Sequence, residues 1–329
     1  MSRPILTIRR ERFPIRGLFR ISRGARTEAE VVVAEIKSGP HIGRGEAVPY
    51  ARYGETVESV IAALQAQTQA IANELDRIAL QAAMPPGAAR NALDCALWDL
   101  EAKHSEQPAW KLAGLRQPPV PLTTAYTLSL DAPSAMAEAA REVAYRPLLK
   151  IKLTGEGDLE RVQAVRNAAP QSRLIVDANE AWSINQLQQF APSFAALGVA
   201  LIEQPLPAAN DEALKGFSSP IPLCADESCH DRKGLESLKS RYSVVNIKLD
   251  KTGGLTEALA LKAAAQKAGL QIMVGCMVAS SLAMAPAVLV GQNIEFVDLD
   301  GPLLLAQDRE PKLRYEQSLV YPPTPELWG

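Results

Sequence analysis

The sequence predicts an α/β protein built around a closed β/α barrel, with a smaller unit formed by the N-terminal part. Eight short β-branched runs predict the barrel strands: residues 121–127, 148–153, 173–178, 199–204, 221–226, 243–249, 270–275 and 294–299. Alanine-rich helical stretches separate these runs, which is typical of right-handed βαβ units in a parallel sheet. Eight units favour a closed barrel. The alternative is a doubly wound sheet, but its phosphate-loop signal, Gly155-Glu156-Gly157, lacks a third glycine.

The N-terminal part has a different pattern of predicted secondary structure. Residues 1–60 predict strands joined by glycine- and proline-rich turns, and two helical stretches follow near residues 55–80 and 86–104. The second stretch is apolar around most of its circumference, so we expect a well-buried helix. Residues 115–122 contain three prolines and predict a linker.

Composition excludes several classes of protein. The chain has 329 residues, with 35 Lys and Arg against 37 Asp and Glu, so it lacks the basic excess of a general nucleic-acid binder. Four scattered cysteines and three histidines argue against a disulfide framework, a zinc site or a Ser-His-Asp triad. The first residues carry no apolar signal segment, so we expect a cytoplasmic protein. The uncharged residues 268–294 predict a buried strand, a tight loop and a small-residue helix rather than a membrane span.

Polar side chains lie at the carboxyl ends of the predicted strands, where β/α barrels build their active sites. Asp177, Glu203 and Asp226 end three adjacent strands, so their carboxylates can converge. Three carboxylates without a thiol or an imidazole favour a hard cation, and Mg²⁺ fits. The alternative is that these acids form a salt-bridge network with the lysines of the rim.

Three lysines lie on the same rim. Lys150 and Lys152 are two residues apart and therefore share one face of their strand. Lys248 lies four strands further on, which in an eight-stranded barrel is the opposite wall. Two opposed proton-transfer groups suit the inversion of a carbon centre, because one removes a proton and the other delivers one to the opposite face.

Asp298 and Asp300 end the eighth strand and face the three carboxylates across the barrel. This acidic pair could receive an ammonium group, and a substrate with a carboxylate at its other end would then lie between the two sites. The alternative is that the pair only caps the turn that follows the strand.

In combination, six motifs make the chain resemble the enolase superfamily, in its muconate-lactonizing-enzyme subgroup. The motifs are ALDCALWDL (92–100), KIK (150–152), DANEAW (177–182), EQPL (203–206), ADES (225–228) and NIKLDKTGG (246–254). The resemblance covers nearly the whole chain. It implies a modified TIM barrel of seven β/α units closed by an eighth strand, with an α+β capping domain. The implied division is a cap over residues 1–118, a barrel over 119–300, and a C-terminal segment, 301–329, that returns to the cap.

Within this subgroup, the pair of Asp298 and Asp300 resembles that of the dipeptide epimerases, where it holds the α-ammonium of the dipeptide. The resemblance implies that Lys152 and Lys248 are the acid/base pair and that one Mg²⁺ is held by Asp177, Glu203 and Asp226. It further implies a set of substrate-binding residues: Arg26, Thr127, Lys150, Cys276, Asp298 and Asp300.

The implied reaction is the conversion of L-Ala-D-Glu to L-Ala-L-Glu through an enolate, in the recycling of cell-wall peptides. Four alternatives stay open: an N-acyl amino acid racemase, an o-succinylbenzoate synthase, a cycloisomerase, and a catalytically silent barrel that acts as a binding protein. The expected partner is a small dipeptide, with neither nucleic acid nor membrane, and a homo-oligomer is possible.

Overall fold

The computed structural model describes residues 3–329. The N-terminal sheet is antiparallel, in the order β1 (Ile5–Ile21), β2 (Gly24–Ser38) and β3 (His41–Ala47). From Ala29 to Ile36, strand β2 is mostly buried on both faces, whereas its first five residues are exposed. Val31 and Val33 join the main core, whereas Val32, Ala34 and Ile36 belong to a second core inside the N-terminal part. The alternation follows from the two-residue period of a strand.

Five helices follow this sheet: α1 (Val57–Gln65), α2 (Thr68–Ala72), α3 (Arg77–Ala83), α4 (Ala88–Ser105) and α5 (Ala109–Leu112). The stretch predicted near residues 55–80 is therefore three short helices. The break between α2 and α3 has a local cause, because Glu74 adopts a left-handed φ of 63°. Asp76 then starts a new helix by accepting hydrogen bonds from the backbone N–H groups of Ile78 and Ala79.

Helix α4 is the buried helix that the sequence predicted. It lies directly on β3, where two glycines allow the backbones to approach. A Cβ atom at Gly45 would lie 2.1 Å from the carbonyl oxygen of Ala92, and one at Gly43 would lie 2.2 Å from that of Ala96. Glycine is required at this contact because any side chain would meet the backbone of the helix.

Eight parallel strands form one sheet in sequence order, after the short strand β4 (Leu122–Thr123). They are β5 (Tyr126–Leu128), β6 (Leu148–Lys152), β7 (Arg173–Asp177), β8 (Val199–Glu203), β9 (Leu223–Ala225), β10 (Val244–Ile247), β11 (Gln271–Val274) and β12 (Phe296–Val297). The first and last strands approach each other, since the Ala125 N–H donates to the Val297 carbonyl at 2.8 Å. The sheet is thus curled into the predicted barrel.

The helices between these strands are α6 (Pro133–Glu142), α7 (Asp158–Ala168), α8 (Ile184–Ala196), α9 (Leu235–Leu238), α10 (Leu249–Thr252), α11 (Leu255–Lys267) and α12 (Ser281–Val290), and α13 (Gly301–Leu304) follows β12. Two connections between strands contain less helix than the sequence predicted. Only a 3₁₀ turn (Asp211–Leu214) joins β8 to β9, and a 3₁₀ turn (Arg232–Gly234) with the four-residue α9 joins β9 to β10.

The uncharged residues 268–294 fold as predicted, into β11, a loop and the buried helix α12. Within the part of the chain that the structure describes, no helix is long and apolar enough to cross a bilayer.

The C-terminal segment returns to the N-terminal part. Strands β13 (Tyr315–Glu316) and β14 (Leu319–Val320) form a small antiparallel sheet with β4. The indole N–H of Trp328 then donates to the carbonyl of Cys95 in α4 at 2.9 Å. The domain boundaries at residues 118 and 300 stay a prediction.

Candidate active site

The site is the second inward-facing layer of the barrel. The first layer is an apolar cluster with one residue from each strand or its start: Ala125, Leu148, Ile175, Leu201, Cys224, Val244, Met273 and Phe296. Side chains of a strand return to the same face every two residues. Two residues further along, toward the carboxyl ends, the layer becomes Thr127, Lys150, Asp177, Glu203, Asp226, Asn246, Gly275 and Asp298. The strand period therefore explains why these polar residues converge.

Lys150 is at the centre of this layer. Its Nζ lies 2.6 Å from Glu203 Oε2, 2.8 Å from Asp298 Oδ2 and 3.3 Å from Asp177 Oδ2. The side chain is almost fully buried. Burial lowers the pKa of Lys150, but the surrounding carboxylates outweigh it and hold that pKa well above its usual value. Lys150 is therefore a fixed positive charge at the base of the site.

Lys152 and Lys248 extend from β6 and the end of β10, which are four strands apart in the sheet. Lys152 Nζ lies 2.6 Å from Asp177 Oδ2, and Lys248 Nζ lies 2.8 Å from Asp226 Oδ2. Both lysines line the same cavity. The structure thus brings two amine-bearing side chains to opposite walls of one space. Their roles as acid and base stay a prediction.

The three candidate metal ligands are buried and paired with lysines. The salt-bridge network that the sequence left as an alternative is therefore formed in this structure. Among residues 3–329, no three Asp, Glu, His or Cys side chains lie close enough together to hold a metal ion. Burial and the nearby Asp177 carboxylate raise the pKa of Glu203. Its Oε1 accepts a hydrogen bond from Asn246 Nδ2 at 2.8 Å, but its Oε2 contacts Lys150 without hydrogen-bond geometry.

Asp298 and Asp300 lie together at the end of β12. Asp298 Oδ2 accepts from Lys150, and Asp300 Oδ2 accepts from the backbone N–H of Thr127 at 2.6 Å. In the described part of the chain, the other Asp298 oxygen, Oδ1, is buried and has no hydrogen-bond donor. Burial and the Asp298 carboxylate raise the pKa of Asp300 to about 7. The pair therefore presents one buried acceptor oxygen, Asp298 Oδ1, without a donor.

The hairpin of β1 and β2 lies over the mouth of the barrel and encloses a cavity of about 460 Å³. Arg26 lies on β2 and lines this cavity, with its guanidinium carbon 5.6 Å from the centre of the Tyr50 ring. Thr127 and Cys276 line the cavity on the barrel side. A cavity of this size is within the usual range for a small-molecule site.

Nine of the eleven predicted site residues line this cavity: Arg26, Thr127, Lys150, Lys152, Asp226, Lys248, Cys276, Asp298 and Asp300. The other two, Asp177 and Glu203, lie at its base, where Lys150 contacts both.

Sequence reasoning missed three residues of the site. Asn246 lies two residues before Lys248, and this spacing could have indicated that it shares the inward face. Lys251 Nζ is buried, 2.6 Å from Asp226 Oδ1 and 3.0 Å from the Asn246 carbonyl. Gln204 Oε1 accepts from the Asp226 backbone N–H at 2.8 Å, which fixes the end of β9.

Comparison with protein families agrees with this architecture. Residues 5–114 match the mandelate racemase/muconate lactonizing enzyme N-terminal domain, and residues 135–324 match the enolase C-terminal domain-like family. The chain therefore belongs to the mandelate racemase/muconate lactonizing enzyme family of the enolase superfamily.

Two curated relatives share 47% identity with the chain. One is an L-Ala-D/L-Glu epimerase from Escherichia coli, aligned over 93% of this chain and 95% of the relative. The other is an N-acetyl-D-glutamate racemase from a Pseudoalteromonas species, aligned over 91% and 95%. Both are isomerases that invert a stereocentre, and the prediction of an enzyme of the epimerase and racemase class is confirmed.

Solved structures extend the comparison. An enolase family member from Agrobacterium tumefaciens, with homology to dipeptide epimerases and with bound sodium and L-Ala-L-Glu, has a TM-score of 0.98 and 54% identity, over 99% of this chain and 100% of that chain. A dipeptide epimerase from Enterococcus faecalis, complexed with Mg and L-Leu-L-Tyr, has a TM-score of 0.90 and 29% identity, over 98% of each chain.

Proposed function

We propose that the protein epimerises dipeptides with a free amino terminus, and that its substrate is L-Ala-D-Glu, converted to L-Ala-L-Glu. The observation that carries this proposal is the Asp298 and Asp300 pair, with its buried Oδ1 that lacks a donor. A substrate ammonium would supply that donor through a charge-assisted hydrogen bond, which is stronger than a neutral one.

The rest of the dipeptide follows from the charges around the cavity. With the ammonium at Asp298, the terminal carboxylate of the substrate lies toward Lys150, whose positive charge opposes its own. The side-chain carboxylate of the glutamate residue then meets Arg26, which lines the cavity from the hairpin. Each charged group of L-Ala-Glu has a counterpart of opposite sign.

Lys152 and Lys248 perform the proton transfers. Because they extend from opposite walls, one removes the α-proton of the glutamate residue and the other delivers a proton to the opposite face. Removal of that proton places negative charge on the terminal carboxylate. Lys150 is held by three carboxylates and stabilises this charge where it develops, which is electrostatic catalysis by a preorganised group.

One Mg²⁺ would be held by Asp177, Glu203 and Asp226. Their chemistry fits such an ion, because all three are buried carboxylates and Glu203 Oε2 lacks a hydrogen bond. Binding requires the three side chains to lie closer together than they do in this structure, where lysines pair with them. When bound, the ion supplies a Lewis acid that stabilises the charge developing on the substrate carboxylate.

A second candidate is an N-acetylglutamate racemase, which the Pseudoalteromonas relative favours at equal identity. That substrate keeps both carboxylates but replaces the ammonium with a neutral amide. The acidic pair is the feature that separates the two functions, because burying two carboxylates beside a neutral amide leaves charge uncompensated.

The test compares kcat/KM for L-Ala-L-Glu and for N-acetyl-L-glutamate under identical magnesium concentrations. We expect a preference of about 10- to 150-fold for the dipeptide, from a charge-assisted contact worth about 1.5–3 kcal/mol. An equal or reversed preference would replace the proposal with the racemase.

In the proposed biological role the reaction serves the recycling of cell-wall peptides. Cytoplasmic location and oligomeric state stay predictions.

A further inference from the structure

Two consecutive residues in the turn that follows β7 adopt a left-handed backbone conformation without being glycine. Asn179 has φ 45° and Glu180 has φ 69°. Asparagine tolerates this conformation, but glutamate rarely adopts it. Each such residue costs of the order of 1–3 kcal/mol and persists only where its surroundings hold it. The contacts that hold this turn therefore indicate its structural role.

The Glu180 carboxylate receives hydrogen bonds from two different parts of the chain. Arg52, in the 3₁₀ turn Ala51–Tyr53, binds it in a bidentate manner, with both N–O distances at 2.7 Å. The backbone N–H of Ala208, after β8, donates to Oε1 at 2.8 Å. The glutamate side chain is only 8% exposed. Its position thus joins the Ala51–Tyr53 turn to the rim of the barrel.

The tip of the β1–β2 hairpin is bound to the same turn. Arg23 Nη1 lies 3.2 Å from Glu180 Oε2 and donates to the Asn179 carbonyl at 2.9 Å, while Ser22 Oγ donates to that carbonyl at 3.1 Å. Arg23 Nη2 reaches Glu227 Oε1 at 2.7 Å. The strained turn is therefore a point at which two edges of the cavity, the hairpin tip and the Ala51–Tyr53 turn, both contact the barrel.

The hairpin tip also carries Arg26. Arg26 pairs with Phe19 in the hairpin register, three residues beyond Arg23, and both Arg23 and Arg26 line the cavity. Where the tip is fixed, Arg26 is fixed with it. A contact that holds Arg23 and Arg52 on the rim thus sets the position of a guanidinium at the cavity wall.

The geometry points to Glu180 as a positioning residue that closes the site: it fastens the hairpin tip and the Ala51–Tyr53 turn onto the barrel and so holds Arg26 against the side-chain carboxylate of the substrate. The fastening follows from the contacts alone. The consequence for the substrate rests on the proposed function.

The experiment uses Glu180→Gln, which keeps the size of the side chain and removes its charge. Arg52→Gln removes the bidentate partner from an exposed position and serves as the second variant. The matched control is Glu101→Gln, because Glu101 also pairs with an arginine of the N-terminal part, Arg77, at 2.6 Å but lies away from the cavity.

The first readout is limited proteolysis of the full-length protein with trypsin, since the hairpin tip offers Arg20, Arg23 and Arg26 as cleavage sites. Mass spectrometry should show cleavage at these sites at least about fivefold faster in Glu180→Gln and Arg52→Gln than in the parent, and at the parental rate in Glu101→Gln. If trypsin cleaved both Glu180→Gln and Arg52→Gln at the parental rate, the proposal that Glu180 holds the hairpin tip on the barrel would be wrong. This readout does not depend on which reaction the enzyme catalyses.

The second readout is kinetic. In Glu180→Gln, KM for L-Ala-L-Glu should rise about tenfold, as expected for the loss of a hydrogen bond to a charged group, with kcat changed less than threefold. KM for L-Ala-L-Gln, which lacks the side-chain carboxylate, should rise much less. Equal increases for the two dipeptides would overturn the link to Arg26. A parent enzyme that turns over neither dipeptide would instead contradict the proposed function and leave the proteolysis result to decide the fastening.

Discussion

The acidic pair at the end of β12 gives the sharpest prediction. Asp298→Asn keeps the shape of the side chain and removes its charge. Lys150 keeps two partners in this variant, since Glu203 and Asp177 lie 2.6 Å and 3.3 Å from its Nζ. The substitution therefore changes the site for the substrate ammonium without leaving the buried lysine unpaired.

The expected magnitude follows from the lost contact. A hydrogen bond to a charged group contributes about 1.5–3 kcal/mol. At 1.4 kcal/mol for each factor of ten, kcat/KM for L-Ala-L-Glu should fall about 10- to 150-fold.

The control is built into the choice of substrate. N-acetyl-L-glutamate meets the same altered Lys150 environment but carries no ammonium, so its kcat/KM should fall less than about threefold. Polarimetry or circular dichroism follows both reactions. If Asp298→Asn slowed both substrates equally, Asp298 would act through Lys150 rather than on the ammonium, and the reasoning would be refuted.

Exhaustive chelation should abolish epimerisation and added magnesium should restore it, because three buried carboxylates form the proposed cation site; full turnover of the chelated protein would remove that assignment. Lys152→Ala and Lys248→Ala should each abolish epimerisation while one enantiomer still exchanges its α-proton in deuterated water, and parental epimerisation by either variant would contradict a two-base mechanism. As the pH falls through about 7, protonation of Asp300 should reduce the ratio of kcat/KM for dipeptide over N-acetylglutamate, since the carboxylate loses its charge; Asp300→Asn should show a low ratio that does not vary with pH, and the same slope in this variant would exclude Asp300 as the titrating group. Gly45→Ala should lower the free energy of unfolding by about 3 kcal/mol in urea denaturation, because the new Cβ would lie 2.1 Å from a helix carbonyl; Gly234→Ala, with nothing within 4 Å, is the control and should change it by less than about 0.5 kcal/mol.

The strand period made much of the barrel and its rim predictable. Polar residues at strand ends, two residues beyond apolar ones, predicted the inward layer that contains Lys150, Asp177 and Glu203. The spacing of Lys150 and Lys152 likewise predicted a shared face. These predictions succeed because a strand fixes the direction of its side chains locally, and the closure of the barrel then brings the strand ends together.

The remaining features depend on contacts between distant parts of the chain. The pairing of Arg23 with Glu227 joins residues 204 positions apart, and no local pattern indicates it. The role of Lys251 depends on the short helix α10, which turns its side chain back to Asp226. The break between α2 and α3 follows from the left-handed Glu74, whose conformation the sequence does not signal. Periodicity determines which face a residue takes, whereas tertiary packing determines its partner.

The most direct test of the account is proton NMR of L-Ala-L-Glu with the enzyme and magnesium in deuterated water. We predict that the α-proton signal of the glutamate residue disappears, that signals of L-Ala-D-Glu appear, and that the α-proton of the alanine residue stays. Exchange in N-acetyl-L-glutamate with none in the dipeptide, or exchange in neither compound, would contradict the assignment of this site to dipeptide epimerisation.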